Sequence, residues 1–160
     1  MWPEPVQRVA AFLHEARAEA ILEEFPEGTP TAEDAARAGG VDAAQIVKTL
    51  VFVCDDGRPV VALVPGGRRA DAGKVARAVG AGEARVGSRQ EVEAATGFAP
   101  GAVAPFPLPR IEHVLIDRSL LAHDHVWVGA GSPNHMARLS PAELARLARA
   151  RQMDAVDDRT

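Results

Sequence analysis

The sequence predicts an α+β fold in a single domain. Short strand-like runs are mixed with helices along the chain, and they do not follow a strict βαβ alternation. The 160 residues can bury a substantial core, and hydrophobic content of 47% with charged content of 25% is typical of a globular protein. We expect residues 1–152 to form one domain and residues 153–160 to form a flexible, acidic tail.

Five helices are predicted from apolar spacing, capping residues and terminal glycines. The first has apolar residues at helical spacing, and the last begins with an N-cap serine, a proline and a capping-box glutamate. The predicted helices cover residues 4–18, 71–80 and 141–151, a segment from Thr31 that ends at Gly39 and Gly40, and a segment from Ser88 that ends at Gly97.

Strands are predicted wherever short apolar or β-branched runs lie between turn residues. Asp55-Asp56-Gly57 separates two such runs and predicts a hairpin. A second tight turn is expected at residues 129–133. The predicted strands are residues 20–25, 46–53, 59–64, 83–86, 112–117, 125–128 and 134–139.

Residues 97–110 are unlike either class of element. Four prolines and two glycines exclude a helix or a central strand, yet the segment is apolar and has no charge before Arg110. A solvated linker would be polar. We expect an ordered loop that packs on the domain, either with its backbone close to a ligand or as a proline-rich cover over the core.

Lys48 is the most informative single residue. On a strand it shares a face with Ile46, Leu50 and Phe52, so its ammonium loses water unless an anion meets it. The chain has 16 arginines and only 2 lysines, which favours a need for a compact charge on a flexible stem. The alternative is an edge-strand lysine whose ammonium reaches solvent.

The charge distribution narrows the classes of partner. The net charge of −4 argues against general nucleic-acid binding, but residues 58–89 carry seven basic and two acidic side chains. This segment could meet a few phosphates, or it could be an ordinary solvated surface.

Several kinds of site and location are not expected. A single cysteine, Cys54, excludes a disulfide framework and a cysteine-rich zinc site, and acidic neighbours disfavour its thiolate. His123 and His125 lack further paired ligands, so we expect no metal and no cofactor. No apolar run is long enough to span a bilayer, and the first residues do not form a signal peptide. We therefore expect a cytoplasmic protein.

Common catalytic signatures, such as a nucleophile elbow, a phosphate loop or a dinucleotide fingerprint, are missing from the sequence. What remains is Lys48 with Thr49, the loop from Gly101 to Pro105, the glycine turn at 129–131, and Asn134 with His135. These residues could line a pocket with one cation and much exposed backbone, which suits orientation and oxyanion stabilisation.

Three motifs together resemble the YbaK/prolyl-tRNA-synthetase-associated family of trans-editing aminoacyl-tRNA deacylases. They are Ile46-Val47-Lys48-Thr49-Leu50, Gly97-Phe98-x-x-Gly101-x-x-x-Pro105-Phe106 and Trp127-x-Gly129-x-Gly131-x-x-Asn134. The resemblance runs over about residues 4–150, with the elements in the family order.

The resemblance implies a twisted, largely antiparallel mixed sheet that closes toward a barrel, with helices packed outside. It also implies a pocket for the aminoacylated 3′ adenosine of tRNA, in which Lys48 approaches a phosphate and Gly101 presents backbone groups to the aminoacyl moiety. The substrate-binding residues that it implies are Thr49, Phe98, Ala102, Pro105, Gly129, Gly131, Asn134 and His135.

The implied activity is hydrolysis of the ester that joins a small, mischarged amino acid to tRNA. Alanine, cysteine, proline, serine and threonine are all small enough, although the turn from Gly129 to Asn134 lacks the three-glycine run of the cysteine-specific members. The expected partner is a charged tRNA acceptor end, with a synthetase or an elongation factor as a further candidate. The alternative is a module that binds an aminoacyl-nucleotide or a protein without hydrolysis.

Overall fold

A computed structural model describes residues 1–29 and 31–158. Its helices begin and end close to the predicted caps: Ser88 accepts a hydrogen bond from the Glu91 N–H, and Gly97 ends that helix in the left-handed region with φ of 75°. Within the described residues, no helix is long and apolar enough to cross a membrane. The helices are α1 Glu4–Glu15, α2 Ala32–Gly39, α3 Ala72–Ala78, α4 Arg89–Thr96 and α5 Pro141–Ala148.

Strands form two sheets. Along the first the order is β1-β7-β6, and along the second it is β4-β2-β3-β5-β8. All pairings are antiparallel except β3 with β5 and β5 with β8, which are parallel. The strands are β1 Ala20–Glu24, β2 Val47–Cys54, β3 Pro59–Pro65, β4 Ala84–Val86, β5 His113–Asp117, β6 Val126–Ser132, β7 His135–Leu139 and β8 Ala150–Met153.

The α+β prediction and the β2–β3 hairpin are confirmed, but the sheet does not close into a barrel. One isolated parallel bridge between Ile46 and Trp127 links the two sheets. The main core fills the space between the sheets, α1 and the 97–110 loop. Phe12 of α1 stacks on Phe106 of that loop at 5.3 Å between ring centroids, so the proline-rich segment is packed on the domain as predicted.

The C-terminal end differs from the prediction. The last helix stops at Ala148, three residues early, because Arg149 enters the left-handed region with φ of 52°. Residues 150–153 then form β8 beside β5, a strand that the sequence analysis missed. Within the segment expected to be a flexible tail, Met153 belongs to β8, Ala155 and Val156 are buried, and Val156 pairs with Ala70.

The predicted turn at 129–133 is likewise shorter in the structure. Strand β6 continues to Ser132, and its register with β7 shifts between Gly129 and Ser132. The glycines therefore belong to an irregular strand end.

Glu143 provides a test of how α5 is anchored. Its carboxylate accepts hydrogen bonds from the Arg146 guanidinium and from the Glu19 N–H at 2.7 Å. These two hydrogen bonds lower the pKa of Glu143 to about 2, and the one from Arg146 contributes more than the one from the Glu19 N–H. A carboxyl with a lowered folded-state pKa stabilises the fold above its unfolded pKa of about 4.3, and that contribution is lost as the pH falls toward 2.

We predict that Glu143→Gln lowers the melting temperature at pH 7, and that the difference from the parent shrinks between pH 4.5 and pH 2. Thermal unfolding across this range measures it. Glu15→Gln, on the exposed side of α1, is the matched control and should follow the parent at every pH. A constant difference down to pH 2 would contradict the proposed role of the carboxylate.

Candidate active site

A cleft of about 390 Å³ opens over the N-terminal half of β2. Its walls are β2, the start of α2, the loop at residues 101–103 and the end of the β6–β7 hairpin. Three depressions elsewhere on the described residues are larger, at about 690, 680 and 560 Å³, but none of them is lined by Lys48. Because the cleft at β2 joins a cation to irregular backbone, it is the better candidate for chemistry.

Lys48 lies half-buried in this cleft, paired across the hairpin with Val64. Its Nζ donates a hydrogen bond to the backbone carbonyl of Arg68. Burial lowers the pKa of Lys48, nearby Arg69 lowers it further, and Glu33 on the opposite wall acts against both. The Arg68 carbonyl thus holds a cation whose surroundings only partly solvate it.

The loop wall brings main-chain atoms to the cleft. Gly101 has a φ of 85°, in the left-handed region that favours glycine, and the Ala102 N–H closes a turn on the Ala99 carbonyl at 3.0 Å. The loop lies so close to β6 that a Cβ on Gly129 would come within 2.9 Å of the Val103 carbonyl oxygen. Gly129 therefore sets how near the loop approaches the strand.

The α2 wall is placed by close contacts at both ends. Thr31 caps the helix by accepting from the Asp34 N–H at 3.0 Å. A Cβ on Gly66 would lie 2.6 Å from the Ala32 Cβ, and one on Gly39 would lie 2.9 Å from the Trp127 indole nitrogen. Small residues at these points let α2 pack directly against the residue that follows β3 and against β6.

His135 closes the cleft at the start of β7. Its side chain is 3% exposed, and its Nδ1 lies 2.6 Å from the Ser132 hydroxyl. The ring meets Trp2 edge to face at 5.1 Å between centroids. The Nε2 is 3.8 Å from the Glu24 carboxylate, beyond hydrogen-bond distance. This packing fixes the imidazole as a rigid boundary.

The cleft is lined by six of the residues that the sequence predicts for the site. Their contact with substrate stays a prediction. They come from three separate parts of the chain, as the motifs require. They are Lys48, Thr49, Gly101, Ala102, Gly129 and His135.

Phe98 and Pro105 lie outside the cleft. Phe98 is fully buried in the main core, where the Arg8 guanidinium covers its ring at 4.7 Å. Pro105 lines the depression of about 680 Å³ beside Phe12. Both residues hold the 97–110 loop on the domain, and their contact with substrate stays a prediction.

Gly131 and Asn134 also do not line the cleft. Gly131 has a φ of 102°, and a Cβ there would lie 2.9 Å from the Pro5 carbonyl, so this glycine admits the start of α1. The side-chain amide of Asn134 donates to the Pro26 carbonyl at 3.1 Å. The backbone carbonyl of Asn134 accepts a hydrogen bond from the Phe25 N–H. Asn134 therefore ties the hairpin end to the segment before α2.

Sequence reasoning missed the α2 side of the cleft. The Thr31 cap predicts the start of a helix, but no local signal in the sequence indicates that this helix forms the wall of the cleft opposite β2. The sequence predicts only that Ser132 belongs to a turn. Its hydrogen bond with His135 forms only in the folded hairpin. The cleft-lining residues that the sequence did not single out as site residues are Thr29, Thr31, Ala32, Glu33, Ala35, Ile46, Val47, Leu50, Gly66, Val103, Ser132, Pro133 and Met136.

Other reactive groups contribute little. Burial is the main cause of a raised pKa of the Cys54 thiol, and the nearby Asp56 carboxylate raises it further. The raised pKa disfavours a nucleophilic thiolate. Among the residues that the structure describes, no three His, Cys, Asp or Glu side chains are arranged to hold a metal ion. The cleft thus offers a cation, a buried imidazole and main-chain groups.

Known proteins that are similar to this chain in sequence or in structure are described as proteins of aminoacyl-tRNA editing or prolyl-tRNA synthesis. Residues 26–147 match the family described as "Aminoacyl-tRNA editing domain". The chain belongs to this family. The resemblance to the YbaK/prolyl-tRNA-synthetase-associated proteins is therefore confirmed.

A solved structure described as a "putative trans-editing enzyme for prolyl tRNA synthetase" matches with a TM-score of 0.89 and 36% identity, over 98% of this chain and 99% of that one. A "Putative Cys-tRNA(Pro)/Cys-tRNA(Cys) deacylase EbsC" from Enterococcus faecalis is 28% identical over 73% of this chain and 71% of its own length.

A "Proline--tRNA ligase" from Nitratidesulfovibrio vulgaris is 36% identical over 125 residues, which is 77% of this chain. The chain spans only about a fifth of that ligase, 22% of its length.

The contact between Gly129 and the 101–103 loop can be tested by adding one methyl group. We predict that Gly129→Ala destabilises the editing domain by about 1–3 kcal/mol, because the Cβ would push the Val103 backbone away from β6. Urea unfolding measures the change. Gly67→Ala is the control, because a Cβ at Gly67 meets nothing within 4 Å. Equal stability of the two variants would show that the loop is not held at this point.

Proposed function

We propose that this editing-domain protein hydrolyses the ester between a small amino acid and the 3′-terminal ribose of a mischarged tRNA. The observation that carries the proposal is the half-buried Lys48 ammonium, which lines one cleft together with Gly101 and Ala102 of the loop. Family membership supports the reaction class, and the relative described as a deacylase supports the type of bond.

In this proposal Lys48 binds the phosphate of the terminal nucleotide. An ammonium is a compact charge with three donors, so it can keep its bond to the Arg68 carbonyl and still donate to a phosphate oxygen. Partial burial makes such an ion pair stronger than one in open water. The phosphate contact would fix the ester in the cleft.

The chemistry requires no side-chain nucleophile. Water adds to the ester carbonyl, the bond from the carbonyl carbon to the ribose oxygen breaks, and the ribose oxygen leaves with a proton from the attacking water. The 2′ hydroxyl of the ribose can assist the proton transfer. The Ala102 N–H already donates to the Ala99 carbonyl, so the main-chain N–H groups of Gly101 and Val103 would stabilise the negative charge that develops on the carbonyl oxygen.

The size of the cleft favours a small aminoacyl group. The terminal adenosine would take up much of a space of about 390 Å³. Editing of small side chains is needed because one methylene contributes only about 1–3 kcal/mol to synthetase selectivity. His135 and Met136 at the closed end would limit the length of the side chain.

We infer that the protein acts in trans on released aminoacyl-tRNA, with the tRNA acceptor end as its partner. The match to the solved structure described as a trans-editing enzyme, over 99% of that chain, supports this mode. Independence from metal ions and a cytoplasmic location remain predictions, as does contact with a synthetase or an elongation factor.

The test is a panel of tRNAs charged with alanine, cysteine, proline, serine or threonine, incubated with the purified protein and scored for released amino acid. We predict rapid release from at least one of them. Lys48→Ala should slow single-turnover release about 100-fold, because the loss of a charged hydrogen bond costs up to about 3 kcal/mol.

Arg17→Met is the matched control, because it removes an exposed cation that lies outside both the cleft-lining set and the basic residues 58–89, and it should keep the parent rate. Release by Lys48→Ala at the parent rate would overturn the role of Lys48. Binding of the tRNAs without release from any of them would favour the non-catalytic module.

A further inference from the structure

The two lysines of the chain lie on either side of one loop, residues 66–71, which connects β3 to α3. The chain uses arginine at its 16 other basic positions. Lys48 donates from β2 to the Arg68 carbonyl in this loop. Lys74, in the first turn of α3, contacts the C-terminal segment on the other side.

Three acceptors converge on the Lys74 Nζ. The Asp154 carboxylate, the Val156 carbonyl and the Asp158 carboxylate each lie 2.9 Å away. The Lys74 side chain is only 17% exposed. A tetrahedral ammonium can donate to three groups around one point, whereas the planar guanidinium of arginine spreads its donors over three nitrogens. The choice of lysine at position 74 thus fits a convergent site.

The C-terminal segment, residues 154–158, holds the 66–71 loop by backbone pairing. The Asp71 N–H donates to the Ala155 carbonyl at 2.8 Å, and the Asp157 N–H donates to the Arg69 carbonyl at 2.7 Å. The Arg68 guanidinium reaches the Asp157 carbonyl at 3.4 Å. The backbone bonds to this segment therefore begin at the residue after Arg68, whose carbonyl binds Lys48, and the Arg68 side chain adds a further bond.

The segment is itself anchored in the interior. Ala155 is fully buried and Val156 is 6% exposed, and both pack with Val64 of β3. The Ala155 N–H donates at 2.7 Å to the carboxylate of Asp117, which is 2% exposed. These contacts fix residues 154–158 to the sheet that carries Lys48.

We propose that residues 154–158 position the Lys48 ammonium, by holding the Arg68 carbonyl in place, and that Lys74 secures this segment. Lys48 has a long, flexible stem, so a fixed acceptor is what selects one rotamer for the ammonium. Lys74 is a positioning residue and does not touch the substrate. The consequence for turnover rests on the proposed deacylase function, whereas the effect on Lys48 does not.

The first test reads the accessibility of Lys48 directly. Lys74→Met leaves Lys48 as the only lysine, so its acylation by an N-hydroxysuccinimide ester can be followed by peptide mass spectrometry at one pH. We predict at least a fivefold faster acylation of Lys48 than in the parent. Asp154→Asn combined with Asp158→Asn should act in the same direction, with little risk to the fold because both carboxylates are exposed.

Arg77→Met, on the same helix, is the control and should leave the acylation rate of Lys48 unchanged. Circular dichroism establishes that each variant is folded. If neither the Lys74 variant nor the double aspartate variant changes the rate in folded protein, the proposal is wrong.

The second test asks whether the effect on substrate passes through Lys48. A tRNA carrying a 3′-amide-linked alanine is the probe, since it binds without being cleaved. Lys74→Met should weaken its binding at least fivefold in the parent and have no effect in the Lys48→Met background. Equal effects in both backgrounds would overturn the positioning role. If the tRNA panel shows no hydrolysis, the proposed activity fails, yet the acylation result still decides whether Lys48 is positioned.

Discussion

The ammonium of Lys48 lies half-buried on β2, next to apolar residues and with Arg69 nearby, so it depends on the groups that meet it. Its bond to the Arg68 carbonyl satisfies one donor and leaves the others for a ligand. Several parts of the fold serve this arrangement. Strand β3 supports β2, the 66–71 loop supplies the carbonyl, and α2 forms the opposite wall of the cleft.

Close backbone packing gives the cleft its shape. Gly129 lets the 101–103 loop approach β6, Gly66 lets α2 approach the end of β3, and Gly131 leaves room for the start of α1. Each contact would be lost with a single added methyl group, because the neighbour is backbone or a small side chain that has little room to move. The site is therefore built mostly from main-chain positions, which suits a reaction that needs orientation and dipoles more than a strong nucleophile.

Sequence patterns predicted the local elements well and the long-range contacts poorly. The caps at Ser88 and Ser140 and the turn at Asp55–Gly57 act within a few residues, so their signals are complete in the sequence. Strand β8 was missed because its pairing with β5 is set by tertiary packing, and Arg149, which ends α5, has no glycine signature.

The same distinction holds for the site. Lys48 could be predicted, because an ammonium among apolar strand residues needs a partner wherever the strand lies. Asn134 and Gly131 lie outside the cleft and hold segments together, and their contact with substrate stays a prediction, since a motif does not show whether a residue supports the cleft or lines it. Glu33 and Ser132 reach the cleft only through the folded arrangement of α2 and the hairpin.

The most direct test of the account is the salt dependence of tRNA binding with and without the Lys48 ammonium. The affinity for a tRNA with an amide-linked 3′ alanine would be measured from 50 to 300 mM salt for the parent and for Lys48→Met. If Lys48 binds one phosphate of the single-stranded end, the slope of log affinity against log salt should become shallower by about 0.7 in the variant. Identical slopes for the two proteins would contradict the account, because Lys48 would then release no counterion from the RNA.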